Sequence, residues 1–313
     1  MKKIDIAFIF PGQGAQYPKM GKDFYDHYAI ARQTFQEADD VLKRNLTKVI
    51  FEGSEADLAE TKNSQLAIYT MSIALLRVIN NHYPTLIPKA VAGLSLGEYT
   101  ALTASNKLSF ADGLFLVNHR SQFMNEVCET TQGTMACVLG LNAEDVEAIA
   151  TQMNDRDNLC VANYNCPGQV VISGTMKGIE WGSAAAKLKG AKRVLPLRVH
   201  GAFHSDLMAR AEKNLKPYIE RVPLYDSPIQ LYMNVPGSAI TDVELIRQYL
   251  IDQVTHSVRW EQSIRQMCKD NIRVFIEIGC GKTLVGFNKR IDDTLKTISI
   301  EHVTDLTNIE GIL

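Results

Sequence analysis

Gly93-Leu94-Ser95-Leu96-Gly97 restricts the possible folds of this chain more than any other stretch. It follows an apolar run, Ala90-Val91-Ala92, and leads into the helix-competent run Gly97-Glu98-Tyr99-Thr100-Ala101-Leu102. A G-x-S-x-G pattern between a strand and a helix is the setting of a nucleophile elbow. The sharp turn holds the serine in strained geometry, and the small flanking residues let the chain fold back on itself. The helix N-terminus then supplies amide donors where an oxyanion would form. The competing reading is an ordinary strand-to-helix turn with a surface serine.

The rest of the chain alternates in a way that accommodates such a turn. Ile4 to Phe10 reads as a buried strand ending at Pro11-Gly12-Gln13-Gly14, and Asp23 to Leu42 as helical. Ser64 to Ile79 is a strongly apolar helix and therefore central. Phe110 to Cys128 is a further helix. This βαβα order predicts a parallel sheet with helices on both faces. The rhythm changes near Gly133. Strands at Thr134–Leu141, Cys160–Tyr164, Gln169–Ser173 and Arg193–Val199 alternate with helices at Ala143–Met153 and Ile179–Leu188. That is βαββαβ, the ferredoxin-like order. Long apolar strands return at Ile229–Met233 and Val274–Ile278. The expected organisation is a discontinuous large α/β domain, 1–130 with 199–313, interrupted by a small subdomain at 131–198. The cleft between two such units is a common place for a site.

The 313 residues suit one large domain or two unequal ones, and a formal net charge of −2 gives no reason to expect nucleic acid or a membrane surface as partner. No apolar stretch approaches the ~20 residues of a spanning helix. The first apolar run breaks at Pro11-Gly12, too soon for a signal-peptide core, so a cytoplasmic protein is expected. The six cysteines form no C-x-x-C pair, which indicates neither a metal site nor a disulfide framework.

A serine nucleophile needs a base. Of the seven histidines, His204 is the best placed. It sits in Gly201-Ala202-Phe203-His204-Ser205, just past the last small-subdomain strand and ahead of a helix at Asp206–Tyr218. An oxyanion hole needs two converging amides. One is the N–H of Leu96, directly after the serine. The other is expected from the loop Pro11-Gly12-Gln13-Gly14-Ala15-Gln16. That loop is no dinucleotide fingerprint, because Tyr17 stands where the third glycine belongs. Arg120 lies one helical turn from Leu116 and Val117 and one turn from Phe123 and Met124. An arginine on an apolar face must be paired or must meet an anion. A substrate carboxylate and an internal salt bridge are both open on this ground.

Phe10-Pro11-Gly12-Gln13-Gly14-Ala15-Gln16, Gly93 to Tyr99, Arg120, Asn163-Tyr164-Asn165-Cys166-Pro167-Gly168-Gln169, Phe203-His204-Ser205 and Val258-Arg259-Trp260 occur in this order over essentially the whole chain. In these motifs the sequence resembles the malonyl-CoA:acyl-carrier-protein transacylases. The resemblance implies an α/β-hydrolase-like large domain with a ferredoxin-like insert. It implies Ser95 as nucleophile, His204 as its partner, Arg120 for the malonyl carboxylate, and Gln13 and Leu96 as oxyanion amides. Gln253, in Asp252-Gln253-Val254-Thr255, matches the family glutamine whose segment orients the histidine in place of an acid.

The reaction so implied is ping-pong. Malonyl-CoA acylates Ser95, coenzyme A leaves, and the phosphopantetheine thiol of acyl carrier protein takes the malonyl group. Phe203 is expected to crowd a branched α-carbon. Lys192 and Arg193, with Lys187 and Lys189 nearby, are expected to meet the acidic carrier protein. No bound cofactor and no metal are implied, and a monomer is expected. A freestanding acyltransferase serving a polyketide synthase, or a serine thioesterase, are the alternatives. Ser257 and Cys280 stand where the family commonly has proline, and His200 where it has a small residue, which affects expected loop shape rather than chemistry.

Overall fold

The computed structural model describes residues 5–199 and 201–312, apart from the side chains of 154–157; His200 therefore lies outside the described residues. Ten strands are present among them. In chain order they are β1 (Ile6–Phe10), β2 (Ala90–Gly93), β3 (Gly133–Leu139), β4 (Cys160–Cys166), β5 (Gln169–Thr175), β6 (Arg193–Pro196), β7 (Gln230–Met233), β8 (Ser238–Ile240), β9 (Val274–Ile278) and β10 (Lys296–Ile300).

The larger sheet runs β10-β9-β1-β2-β7-β8. Its strands are parallel except for the antiparallel β7–β8 hairpin at one edge. The pleat sends alternate residues of β1 to opposite faces. Phe8 and Phe10 pack with the long helix Thr61–His82 and the helix Phe110–Thr130, whereas Ala7 and Ile9 pack with Trp260, Ile264 and Leu284 on the other side. Helices therefore cover both faces, as the βαβα order predicts. Thr61–His82 is almost entirely buried, in keeping with its apolar sequence. Among the described residues no helix is long and apolar enough to cross a membrane.

The second sheet runs β4-β5-β3-β6 with antiparallel neighbours, the ferredoxin-like arrangement. Ala136, Val138, Val170 and Ile172 face the helices Ala143–Asp157 and Met176–Leu188. Met135, Cys137 and Val171 face the other way, toward the larger sheet. The two sheets are tied at Val258, whose N–H donates to Ala162 O (2.8 Å) and whose carbonyl accepts from Tyr164 N–H (2.9 Å). Ser257 donates its hydroxyl to Val161 O at 2.5 Å.

Many element ends shift by a few residues, and three differences stand out. Asp23–Leu42 is two helices, Lys22–His27 and Ala29–Leu42, because Tyr28 is extended between them with its ring against Phe24 and His82. The strand expected to reach Val199 stops at Pro196, although Leu197 N–H still donates to Met135 O of β3 at 3.0 Å. The helix expected from Asp206 begins as a tight 3₁₀ turn and becomes regular only at Ala209.

The elbow depends on backbone contact that only glycine permits. A Cβ on Gly97 would sit 2.3 Å from Phe10 O and 2.8 Å from Pro11 O; one on Gly93 would sit 1.9 Å from the Gly97 carbonyl. Gly97→Ala is therefore expected to destabilise the fold by about 3 kcal/mol, the upper range for overpacking. Gly286→Ala, on an exposed helix position where a Cβ meets nothing within 4 Å, should be neutral or stabilise by about 0.5–1 kcal/mol. Denaturant midpoints of the two variants check this pair of outcomes.

Candidate active site

The loops after the parallel strands converge at the C-terminal edge of the larger sheet, where open α/β sheets present their sites. Pro11–Ala15 follows β1, Leu94-Ser95 follows β2, and Thr283, Leu284 and Phe287 come from the segment after β9. With Arg120, Phe203, His204 and the inner face of the small sheet they enclose a cavity of ≈ 260 Å³. Asn163, Asn165 and Gln169 add polar groups to that wall.

Ser95 occupies the tip of the elbow with φ 52°, and His204 has φ 59°. Left-handed backbone costs a non-glycine residue about 1–2 kcal/mol. Ser95 is held there by its own N–H, which donates to Asn234 Oδ1 at 2.7 Å, while Asn234 Nδ2 donates to Gly93 O at 2.7 Å. Ser95 Oγ lies 2.8 Å from His204 Nε2. His204 Nδ1 lies 2.8 Å from the carbonyl of Gln253. A carbonyl only accepts, so Nδ1 carries the proton and Nε2 is left to accept from the serine. His204 is 4% exposed. Burial, and then the nearby Arg120 charge, push its pKa down to about 4, against the upward pull of the Gln253 and His256 backbone. The imidazole is accordingly neutral at neutral pH.

Arg120 is 1% exposed and directs its guanidinium into the same corner. Nη1 donates to Gln65 Oε1 (2.6 Å), and Nη2 donates to Gln253 Oε1 (2.9 Å) and Ser95 Oγ (3.0 Å). Its hydrogen-bond partners are neutral. No direct salt bridge to an acid is present among the described residues, so the internal ion pair left open by the sequence is not formed. The nearest buried carboxyl, Glu98, is separated from the guanidinium by the Gln253 amide.

Gln13 is fixed by its side chain, which donates to Thr61 Oγ1 (3.3 Å) and accepts from Gln65 Nε2 (3.3 Å). Leu96 begins the Gly97–Ala104 helix. Neither the Gln13 N–H nor the Leu96 N–H has an acceptor among the described residues, whereas the Gly97, Glu98 and Tyr99 amides bond back to Leu94, Ser95 and Leu96. Ser95, His204, Arg120, Gln253, Gln13, Leu96 and Phe203 are thus brought together. Lys192 and Arg193 are not: they lie exposed at the edge strand β6, from which Leu197 and Val199 lead down the cavity wall to His204. Lys189 pairs instead with Asp145 at 3.0 Å.

Three residues escaped the reading of the sequence. Gln65 is a polar residue at the start of a strongly apolar helix, and that contrast was the available signal. Asn234 directly follows β7, where a strand end meets the sheet's active edge. Glu98 looks like an ordinary first-turn acid but is fully buried. Burial pushes its carboxyl above the ordinary range while the Asn234 and Gln253 donors and Arg120 pull it back. Among the described residues no group of three or more His, Cys, Asp or Glu could hold a metal ion.

The model of the acyl transferase domain family matches residues 7–304. The malonyl CoA-acyl carrier protein transacylase of Bacillus subtilis is 43% identical over 296 residues, 94% of this chain and 93% of that protein. An acyl carrier protein S-malonyltransferase from Vibrio cholerae has the same fold at a TM-score of 0.93 and 34% identity, over 97% of this chain and 99% of that one. A malonyl-transacylase in complex with a type II polyketide acyl-carrier protein superposes at 0.95 and 31% identity, over 99% of this chain and 100% of that one. Matched along nearly its whole length, this chain belongs to the acyl transferase family, in the group of the malonyl-CoA:acyl-carrier-protein transacylases.

Proposed function

We propose that this enzyme transfers malonyl groups from malonyl-CoA to the phosphopantetheine thiol of acyl carrier protein through a malonyl ester of Ser95. The observation that carries this reading is one serine oxygen within hydrogen-bond reach of both a neutral buried histidine and a buried arginine. Ser95 Oγ attacks the thioester carbonyl and His204 Nε2 takes its proton. The Gln13 and Leu96 amides receive the oxyanion. The C–S bond breaks, and His204 returns the proton to the departing coenzyme A sulfur. In the second half His204 deprotonates the carrier thiol, the sulfur attacks the ester, and the proton goes back to Ser95. Arg120 releases Ser95 Oγ and grips the free malonyl carboxylate with charge-assisted bonds, while Gln65 and Gln253 go on holding the guanidinium. Phe203, in the cavity wall beside His204, crowds a branched α-carbon.

This reading keeps the division into 1–130 with 199–313 and an inserted 131–198, and a cytoplasmic monomer without bound cofactor. The likeness to a transacylase that works with a polyketide carrier leaves the same chemistry with a different acceptor as a second reading. Rates with the two kinds of carrier protein separate them. A thioesterase has no use for the Arg120 charge.

Intact mass after malonyl-CoA should show one malonyl adduct, absent from Ser95→Ala and lost on adding carrier protein. Because the histidine pKa is lowered, its base form persists into acid: acylation should stay level from neutral pH down through 6 and fall only toward about 4. A fall centred near 6.5, the ordinary histidine value, would remove His204 as the base.

Arg120→Ala should cost malonyl transfer about 1.5–3 kcal/mol, the range of a hydrogen bond to a charged group, and acetyl transfer less. Arg120→Lys should recover only part, since an ammonium has no fork. Equal losses with both acyl donors would assign Arg120 to structure alone.

Reversing charge at Lys192 and Arg193 together should raise the KM for carrier protein and flatten its salt dependence, with little change for malonyl-CoA. Unchanged carrier-protein kinetics at low salt would exclude the β6 edge as the docking surface.

A further inference from the structure

Glu98 and Arg120 are 0% and 1% exposed and form no direct ion pair among the described residues. The side-chain amide of Gln253 stands between them. Its Nε2 donates to Glu98 Oε2 (2.6 Å) and to Ser95 O (2.9 Å), and its Oε1 accepts from Arg120 Nη2 (2.9 Å). The other oxygen of Glu98 accepts from Asn234 N–H at 2.6 Å. Both oxygens of Glu98 therefore face N–H donors, and these hold the carboxylate form against the upward push of burial.

The polarity of this chain matters. An amide has one donating and one accepting end. Turned over, Gln253 would aim its NH2 at the guanidinium and its carbonyl at two other oxygens. An acid in direct contact with Arg120 would compensate the charge and weaken its pull on a substrate carboxylate. A neutral amide holds the guanidinium in place and leaves its charge available.

We propose that Glu98 is a positioning residue for acyl-group selectivity, locking the Gln253 amide in the orientation that presents a carbonyl to Arg120 while touching no substrate itself. This rests on the reading of Ser95, His204 and Arg120 given above.

Glu98→Gln keeps the shape but sets a second NH2 against Gln253 Nε2. Two donors cannot share that contact, so Gln253 either turns over and sets a donor against Arg120 or draws away from it, and in both cases Arg120 loses the carbonyl that holds it. The malonyl-CoA kcat/KM for acyl-enzyme formation should fall about 10–100-fold, the size seen for partners that orient a site's direct ligands, mainly through KM. Acetyl-CoA acylation should fall by less than about threefold, because it makes no use of the Arg120 fork. Gln253→Met, which has similar length and no amide, should lose the same selectivity, and the double variant should be no worse than either single one.

Thermal melts accompany each measurement. If Glu98→Gln does not fold, Glu98→Met, which removes both acceptor oxygens at similar length, takes its place, since Gln253→Met reports on the amide and not on Glu98. Retained malonyl-over-acetyl preference in a folded variant, equal losses for both donors, or additive effects in the double variant would each overturn the relay. Intact mass separates this from failure of the underlying reading. Wild-type protein that takes no malonyl on Ser95 removes that reading, and the relay with it. A wild-type adduct with unchanged variant selectivity removes the relay only.

Discussion

Backbone lies against backbone where Gly97 meets the carbonyls of Phe10 and Pro11, with no side chain between them. That contact seats the N-terminus of the Gly97–Ala104 helix over the ends of β1 and β2. It brings the loop holding Gln13 to the same side as the amide of Leu96, and it leaves Ser95 at the tip of the turn with a left-handed backbone. Asn234, from the end of β7, then closes the elbow by bonding both Ser95 N–H and Gly93 O. Three strand ends are thereby fastened at one point. The serine is aimed by the scaffold rather than by its own conformational preference.

Burial sets the electrostatics of the corner and acts on its groups in opposite ways. Loss of water pushes His204 down, so the imidazole stays neutral and able to accept a proton. It pushes Glu98 up, although the donors around that carboxyl resist. Arg120 keeps its charge and is surrounded mainly by the carbonyl ends of Gln65 and Gln253. In a low-dielectric cavity such a charge attracts an anion more strongly than it could at the surface. One feature, the burial of this corner between two sheets, thus keeps His204 neutral and encloses the Arg120 charge.

Much of the architecture was legible because its signals are local. β9 at Val274–Ile278 was found with its observed bounds, and the βαββαβ order matched the ferredoxin-like sheet, since both depend on apolar runs and their spacing. Elements that depend on distant partners were read poorly. The break at Tyr28 comes from rings that pack on Phe24 and on His82, the latter far away in the chain. β10, at one edge of the sheet, has an exposed and half-buried start that carries little apolar signal.

The site divides in the same way. G-x-S-x-G reports a turn, and a turn is a local matter of φ and of small side chains, so Ser95 and Leu96 could be placed from residues 90–102 alone. His204 was reached by its position at the end of the inserted unit, and Gln253 only through resemblance to other chains. Gln65 carried only the contrast of a polar residue in an apolar helix, and Glu98 and Asn234 carried no local mark. Their roles come from hydrogen bonds across 55, 155 and 139 positions of the chain. The sequence by itself determined where most of the strands and helices and the elbow form, because periodicity and glycine sterics act over a few residues. The tertiary structure alone decided which buried polar groups face one another, because hydrogen-bond direction and desolvation exist only once distant segments share a dry interior.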